Sequence, residues 1–230
     1  MLDFERIVAP NPGPMTLEGT NTYVVSRDPA WVIDPGPDDP GHLERVRAAG
    51  EARGGIGGYL LTHGHDDHSA GIEALGARPA TDAPFEAVPT PGHAGDHLCF
   101  VAERVCFCGD LILGHGSAIV PPAEHGGSLS DYMASLRLID GLELDLLAPG
   151  HGDLISDPAA KIAEYIEHRL AREQALLAAL EAGERSRTRL LDAAWSDVPG
   201  PMRPAAAMAM QAHLEKLEAE GRLDPVELVD

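Results

Sequence analysis

Apolar residues along the chain come in short bursts, and most bursts end in a polar residue beside glycine or proline. Phe4–Ala9, Gly19–Val25, Trp31–Asp34, Gly58–Leu61, Phe85–Val88, His97–Ala102, Arg104–Cys108 and Leu144–Ala148 read as strands, because they combine β-branched, aromatic and other apolar residues at strand length. A turn at Arg27-Asp28-Pro29 makes the second and third a hairpin, and Glu103 does the same for the sixth and seventh. Asp39-Pro40 predicts a capped helix carrying Leu43, Val46 and Ala49 and stopped by Gly50. Ser69–Leu75 and Ser128–Ile139 predict two more helices, the latter capped by Ser128 or Ser130.

After Ser156-Asp157-Pro158 the pattern changes to helical spacing. Ile162, Ile166, Leu170, Leu177 and Leu180 predict one long helix to about Ala182, broken by Gly183. Ser186–Trp195 and Pro204–Glu220 follow, the latter with Met208, Ala212 and Leu217 near one face. Leu223–Leu228 is a candidate terminal β-ribbon that Pro225 weakens. The expected division is residues 1–160 for a catalytic domain and 161–230 for a small, mainly helical domain resembling a winged helix.

Five strand ends carry the chemistry: Asp34, His63, His93, Asp110 and His151. Polar groups gathered at one end of strands line a shared crevice. The densest stretch is Thr62-His63-Gly64-His65-Asp66-Asp67-His68. Alternation along an extended chain puts His63 and His65 on one side. With His93 they form a tripod of imidazoles for one metal ion, and Asp67, His68 and His151 can form a second. Asp110 is then a candidate bridge between the two. Two Zn²⁺, with Fe or Mn as alternatives, suit this nitrogen and oxygen set. Asp67 and Asp110 are the candidate catalytic groups, orienting a hydroxide that the metals generate near neutral pH. No Gly-x-Ser-x-Gly motif supports a serine nucleophile. Asp34 is a candidate to hydrogen-bond a ligand histidine, or else a turn residue. His97 is a candidate to support the site from behind His93, and His115 to touch substrate at the crevice mouth, or else to be a solvated loop residue. Thr20, Asn21 and Thr22 are candidates to line the crevice, although strand propensity alone explains them. His42, His125, His168 and His213 read as surface or helix residues.

Composition narrows the substrate. The 230 residues carry a formal net charge of −20 and only two lysines, Lys161 and Lys216. Such a chain repels polyanions unless it holds a local basic groove. The last helix has Glu215, Glu218 and Glu220 around Lys216, so DNA is not an expected partner. No apolar run is long enough for a membrane span. No signal-peptide pattern opens the chain, and three cysteines give no disulfide framework, so a cytoplasmic, reducing setting is expected. Cys106 and Cys108 share a strand face and read as core.

The Thr62–His68 stretch, followed in order by His93, Asp110 and His151, resembles the metallo-β-lactamase superfamily. The resemblance implies an α+β fold, an αββα sandwich with metals at one edge. It also implies His63, His65 and His93 on one metal, Asp67, His68 and His151 on the other, and Asp110 bridging. Asn11-Pro12-Gly13-Pro14, Gly19-Thr20-Asn21-Thr22-Tyr23 and the tail from His168-Arg169 to Leu217 resemble the β-lactamase-like protein two group more narrowly, with its winged-helix-like appendage. That group includes single-strand endoribonucleases, and more distant relatives include thioesterases. The acidic chain favours the second of these activity classes: a dinuclear zinc hydrolase of an ester, thioester or lactone is expected, with RNA cleavage as the alternative. Antibiotic-cleaving members often carry cysteine where Asp110 stands, so a β-lactamase is not expected. The segment from Gly71 to Phe85 is short for the family, which predicts missing strands near the site. The appendage is expected to pack over one side of the crevice or to pair two copies.

Overall fold

The computed structural model describes residues 2–26, 28–224 and 227–230. Arg27 of the predicted turn and Pro225 of the predicted ribbon lie outside them. Among the described residues eight strands form two four-stranded sheets of the same design. In the first, β1 (Phe4–Val8), β2 (Asn21–Val25) and β3 (Ala30–Ile33) run antiparallel. Helix α1 (Pro40–Glu51) then crosses over to β4 (Ile56–Leu60), which lies parallel to β3. The second repeats the scheme: β5 (Glu86–Pro89), β6 (Leu98–Ala102) and β7 (Val105–Gly109) antiparallel, helix α4 (Leu129–Asp140), and β8 (Leu146–Pro149) parallel to β7. Two short helices, α2 (Asp66–Ser69) and α3 (Ile72–Leu75), intervene between the sheets in sequence.

Strand alternation sorts the core into layers. Tyr23, Val25 and Ile33 of the first sheet meet Phe100, Val105 and Phe107 of the second. Phe4, Tyr23 and Phe107 stack edge-on there, with centroids 5.1–5.9 Å apart. On the opposite faces Val24 and Val32 pack against Leu43 and Val46 of α1, while Cys99, Cys106 and Cys108 pack against α4. The result is an αββα sandwich, and all three cysteines are free and buried in it.

Several boundaries differ from the sequence reading. Gly50 does not stop α1; it stays helical, where an added Cβ would lie 2.3 Å from Ile56. Ser69–Leu75 is not one helix, because the chain turns at Ala70-Gly71 between α2 and α3. Beyond α3 the 71–85 segment is short of strands, as expected: among the described residues it makes one parallel bridge, Tyr59 with Pro79. Among the described residues the terminal ribbon is likewise a single bridge, Ser186 with Val229.

Among the described residues the tail holds three α-helices, α5 (Pro158–Glu181), α6 (Arg187–Ala194) and α7 (Arg203–Ala219). Ile162 and Tyr165 of α5 pack with α4, while Leu176 and Leu180 pack with α6 and α7. The buried stripe of α5 is Ile162, Tyr165, Arg169, Glu173, Leu176 and Leu180, and Leu170 is exposed. Glu173 is held there by Lys216 at 2.7 Å and by Arg222. The expected boundary at 160/161 falls in the first turn of α5, a helix that serves both cores. No helix among the described residues is long and apolar enough to cross a membrane.

Candidate metal centre

All seven proposed ligands converge at one edge of the sandwich. Three overlapping groups have donor atoms within 4.8 Å of one another: His63, His65 and His93; Asp67, His68 and His151; and His63, His68 and Asp110. The third joins the other two. Around a tetrahedral ion with bonds near 2.0–2.1 Å, neighbouring donors sit about 3.3–3.4 Å apart. Here His63 Nε2 and His93 Nε2 lie 3.0 and 3.1 Å from His65 Nδ1. His68 Nε2 lies 3.3 Å from His151 Nε2, and Asp67 Oδ2 lies 3.2 Å from His151 Nε2. Asp110 Oδ1 is 3.5 Å from His68 Nε2, and its Oδ2 is 3.5 Å from His151 Nε2 and 3.8 Å from His93 Nε2. Asp110 therefore faces both halves. Its buried Oδ1 has no hydrogen-bond donor, the condition of a carboxylate oxygen shaped for a cation.

The far side of each imidazole decides which nitrogen carries the lone pair. His93 Nδ1 faces the Ile119 carbonyl at 2.7 Å, and His151 Nδ1 faces that of Gly19 at 3.3 Å. A carbonyl only accepts, so both rings donate from Nδ1, which leaves Nε2 as the nitrogen that faces the other donors. His68 Nδ1 donates to Asp34 Oδ2 at 2.8 Å. Asp34 also accepts from the Thr62 hydroxyl and from the Thr62 backbone N–H, each at 2.7 Å. With its proton committed to Asp34, the hydroxyl accepts from His63 Nδ1 at 3.0 Å. One carboxylate thus orients a histidine of each tripod, one directly and one through Thr62. Outer partners of this kind fix tautomer and ring direction at metal sites.

Local sequence explains how the ends meet. β4 stops at Leu60, so His63 and His65 sit on the following loop rather than on the strand, and they converge using Nε2 and Nδ1 respectively. Asp66 and Asp67 then open α2, where acidic residues suit a helix N-terminus. Asp110 follows Gly109, whose φ of +46° and closeness to Thr62 and His97 exclude a side chain. His151 follows Gly150, where a Cβ would lie 2.4 Å from Asp110 Oδ1. β2 clamps this loop: Asn21 Nδ2 donates to the carbonyls of Pro149 and Gly152, at 2.9 and 2.8 Å, and Tyr23 donates to the Pro149 carbonyl at 2.8 Å.

The supporting residues fall out differently from the sequence reading. Asp34 occupies the place expected of it. His97 is buried behind His63, with ring centroids 5.3 Å apart and Nδ1 on Thr90. Thr20, Asn21 and Thr22 are buried and do not line the crevice; Thr20 bridges the backbone of His151, and Thr22 binds His42. His115 is exposed and pairs with Glu18 at 3.2 Å. His125 takes the crevice position instead. The crevice holds about 370 Å³ and is lined by Met15, Leu17, Ile119 and His125, with Met202 and Met208 from the tail. His42 and His213 are helix residues, as the sequence allowed, and both are buried. Thr62 and the Ile119 carbonyl were missed because one is a common strand residue and the other is backbone.

Charge is distributed to match. Burial, then the neighbouring His68, drives His63 below its usual range, and burial lowers His93 and takes His97 down to about 3. His68 and His151 go the other way. Burial opposes their protonation, yet Asp110 and its neighbouring carboxylates raise both, His151 to about 10. Asp110 sits well below the usual carboxylate range despite its burial, chiefly through His68 and His151. Without metal, His151 therefore carries a proton at neutral pH on a ring whose lone pair a metal needs. Its folded value lies above neutrality, so metal displaces that proton, and affinity rises with pH towards about 10. Calorimetry of zinc loading at pH 7 in buffers of different ionisation enthalpy is expected to show about one proton or more released. Loading without proton release would contradict this charge state.

The Metallo-beta-lactamase superfamily profile matches residues 15–83 and 80–151. The chain belongs to the metallo-β-lactamase superfamily. The Beta-lactamase associated winged helix domain matches residues 189–227. A beta-lactamase-like protein 2 homolog of Drosophila melanogaster is 33% identical over 266 residues, covering 95% of this chain and 88% of its own length. The thioesterase pkgB of Emericella nidulans is 37% identical over 203 residues, covering 76% of this chain. The match spans only 58% of that protein's length, and 61% of another fungal relative, the lactamase-like protein nscB of Neosartorya fischeri. Among solved structures, a metallo-beta-lactamase family protein of Thermus thermophilus superposes with a TM-score of 0.75 at 24% identity, covering 95% of this chain and 94% of its own. This member of the superfamily carries a winged-helix tail.

Proposed function

We propose that the protein is a dinuclear zinc hydrolase of esters, thioesters or lactones. One observation carries the reading: His63, His68, His93 and His151 each have one ring nitrogen engaged from behind and the other turned toward the same carboxylate, Asp110. His63, His65 and His93 would hold one ion, and Asp67, His68 and His151 the other, with Asp110 between them. When bound, the ions acidify a water for attack and polarise the attacked carbonyl.

The chain's own groups do the rest. Asp67, half-buried at the crevice floor, accepts a hydrogen bond from the attacking water and fixes its line of approach. His151 and His68, oriented from behind, hold Asp67 and Asp110 apart at their ligand positions. His125 also lines the crevice and is the imidazole there that no metal position claims. Leu17, Ile119, Met202 and Met208 exclude water around an apolar acyl chain. The apolar walls and the net charge of −20 support a small acyl substrate over a polyanion, and the thioesterase name of a relative agrees. The test is a panel with zinc-loaded protein and Asp67→Ala: acyl thioesters, a lactone, a β-lactam and single-stranded RNA. Thioester or lactone turnover lost in Asp67→Ala is the expected result. RNA cleavage lost in that variant, with no ester turnover, would overturn the assignment. Metal analysis in parallel distinguishes zinc from iron or manganese.

A further inference from the structure

A second cavity, of about 460 Å³, lies between α5, the 195–199 segment that follows α6, α7 and the 116–119 loop. Ser117, Ala118, Ile119 and Met202 wall both it and the metal crevice, so the two are neighbouring compartments of one recess. Its surface is mostly apolar, from Trp195, Val198, Ala205 and Ala206 among others. Four charged side chains face it, and three are already paired. Arg172 makes a bidentate pair with Asp197 at 2.5 and 2.7 Å, and Glu164 is held by Lys161 at 2.9 Å.

Arg169 is the exception. Only 4% of it is exposed, yet among the described residues it has no carboxylate within ion-pair distance. One amino group donates to the Ala118 carbonyl, the guanidinium stacks 5.1 Å over Tyr132, and its Nε–H has no acceptor. His168, its chain neighbour, repeats the condition. His168 Nε2 accepts from Arg172 Nε at 3.2 Å, so the proton of this ring is on Nδ1, which has no acceptor either. A buried guanidinium with no carboxylate partner, in the wall of a mostly apolar cavity, suits an oxyanion. The loop this cavity shares with the metal centre is short: Arg169 holds the carbonyl of Ala118, and His93 holds that of Ile119.

We propose that this cavity is the distal half of the substrate site and binds a carboxylate or phosphorus oxyanion at the end of an apolar chain. The inference rests on the hydrolase reading, which sets the scissile bond at the metals and the anion at Arg169. It also reconciles an acidic protein with an anionic substrate, because recognition comes from one buried guanidinium rather than from the surface field.

The test uses zinc-loaded full-length protein and N-acetylcysteamine thioesters whose acyl chains end in carboxylate, phosphonate or methyl, with the acetyl thioester as reference. Wild type is expected to prefer one of the charged chains over methyl by about tenfold or more in kcat/KM, and Arg169→Gln to erase that ratio. The preferred arm tells carboxylate from phosphorus oxyanion. Metal content and melting temperature are followed for each variant. Should Arg169→Gln fail to fold, Ala205→Leu is expected to lower turnover of the long charged thioester more than that of the acetyl one. Equal or better turnover of methyl-ended chains by wild type would overturn the proposal. If no thioester turns over at all, the hydrolase reading is what has failed. The cavity is then read by calorimetry of octanoate against octanamide: a charge preference lost in Arg169→Gln supports it, and equal binding of the two overturns it.

Discussion

Asp110→Ala is expected to leave about a thousandth or less of the hydrolytic rate and to lower bound zinc from two equivalents towards one. Among the described residues Asp110 alone faces both tripods, with its oxygens 3.5 Å from His68 and His151 and 3.8 Å from His93. Alanine removes the carboxylate that both ions can share. Metal ions contribute several kcal/mol of transition-state stabilisation, and about 4 kcal/mol corresponds to roughly a thousandfold in rate. The measurement is kcat alongside elemental analysis of the same sample. A variant that keeps two equivalents of zinc and a rate within tenfold of wild type would remove Asp110 from the bridge.

Asp34→Asn is expected to weaken metal binding about 10–100-fold without touching a ligand. Asp34 sits at φ +51°, where asparagine is also at home, so the backbone has no reason to move. The chemistry changes instead. Two carboxylate oxygens accept three donors, from the Thr62 hydroxyl, the Thr62 N–H and His68 Nδ1. A carboxamide turns an NH₂ towards at least one of them. His68 loses its fixed ring direction, and the Thr62 hydroxyl that holds His63 loses its anchor. One opposed buried donor costs about 1–3 kcal/mol, so the metal-free variant is also expected to melt earlier. Chelator competition and denaturant unfolding of metal-free protein measure the two effects separately. Unchanged zinc affinity would show that Asp34 supports the fold alone.

The strands and the metal cluster were legible because each rests on local signals. Short runs of β-branched, aromatic and other apolar residues located β2, β3, β6 and β7 to within a residue or two, and Gly109, Gly150 and Pro35 marked where these strand ends turn. What was hidden depends on contacts between distant segments. Leu170 fits a helical spacing as well as Arg169 does, and only the packing of α5 on Tyr132 and Ala118 turns Arg169 inward. Gly57 and Gly58 weaken the strand signal of β4, yet both are needed where Pro29, Arg78 and Ala80 crowd the chain. His115 and His125 look alike in sequence. The 3₁₀ turn at Ala123–His125 brings His125 over the crevice, whereas His115 stays with Glu18. The burial of His213 was hidden for the same reason: it meets Trp195 edge-on, a partner from a different helical segment.

The double allegiance of α5 has an evolutionary consequence. Its first half is bolted to α4 and its second half to α6 and α7, while Met202 and Met208 reach from the tail over the ligands. The tail is therefore no interchangeable cassette. Substituting another helical module would leave every ligand in place and yet recut the aperture above them, so drift in the tail registers as altered selectivity long before it registers as lost chemistry.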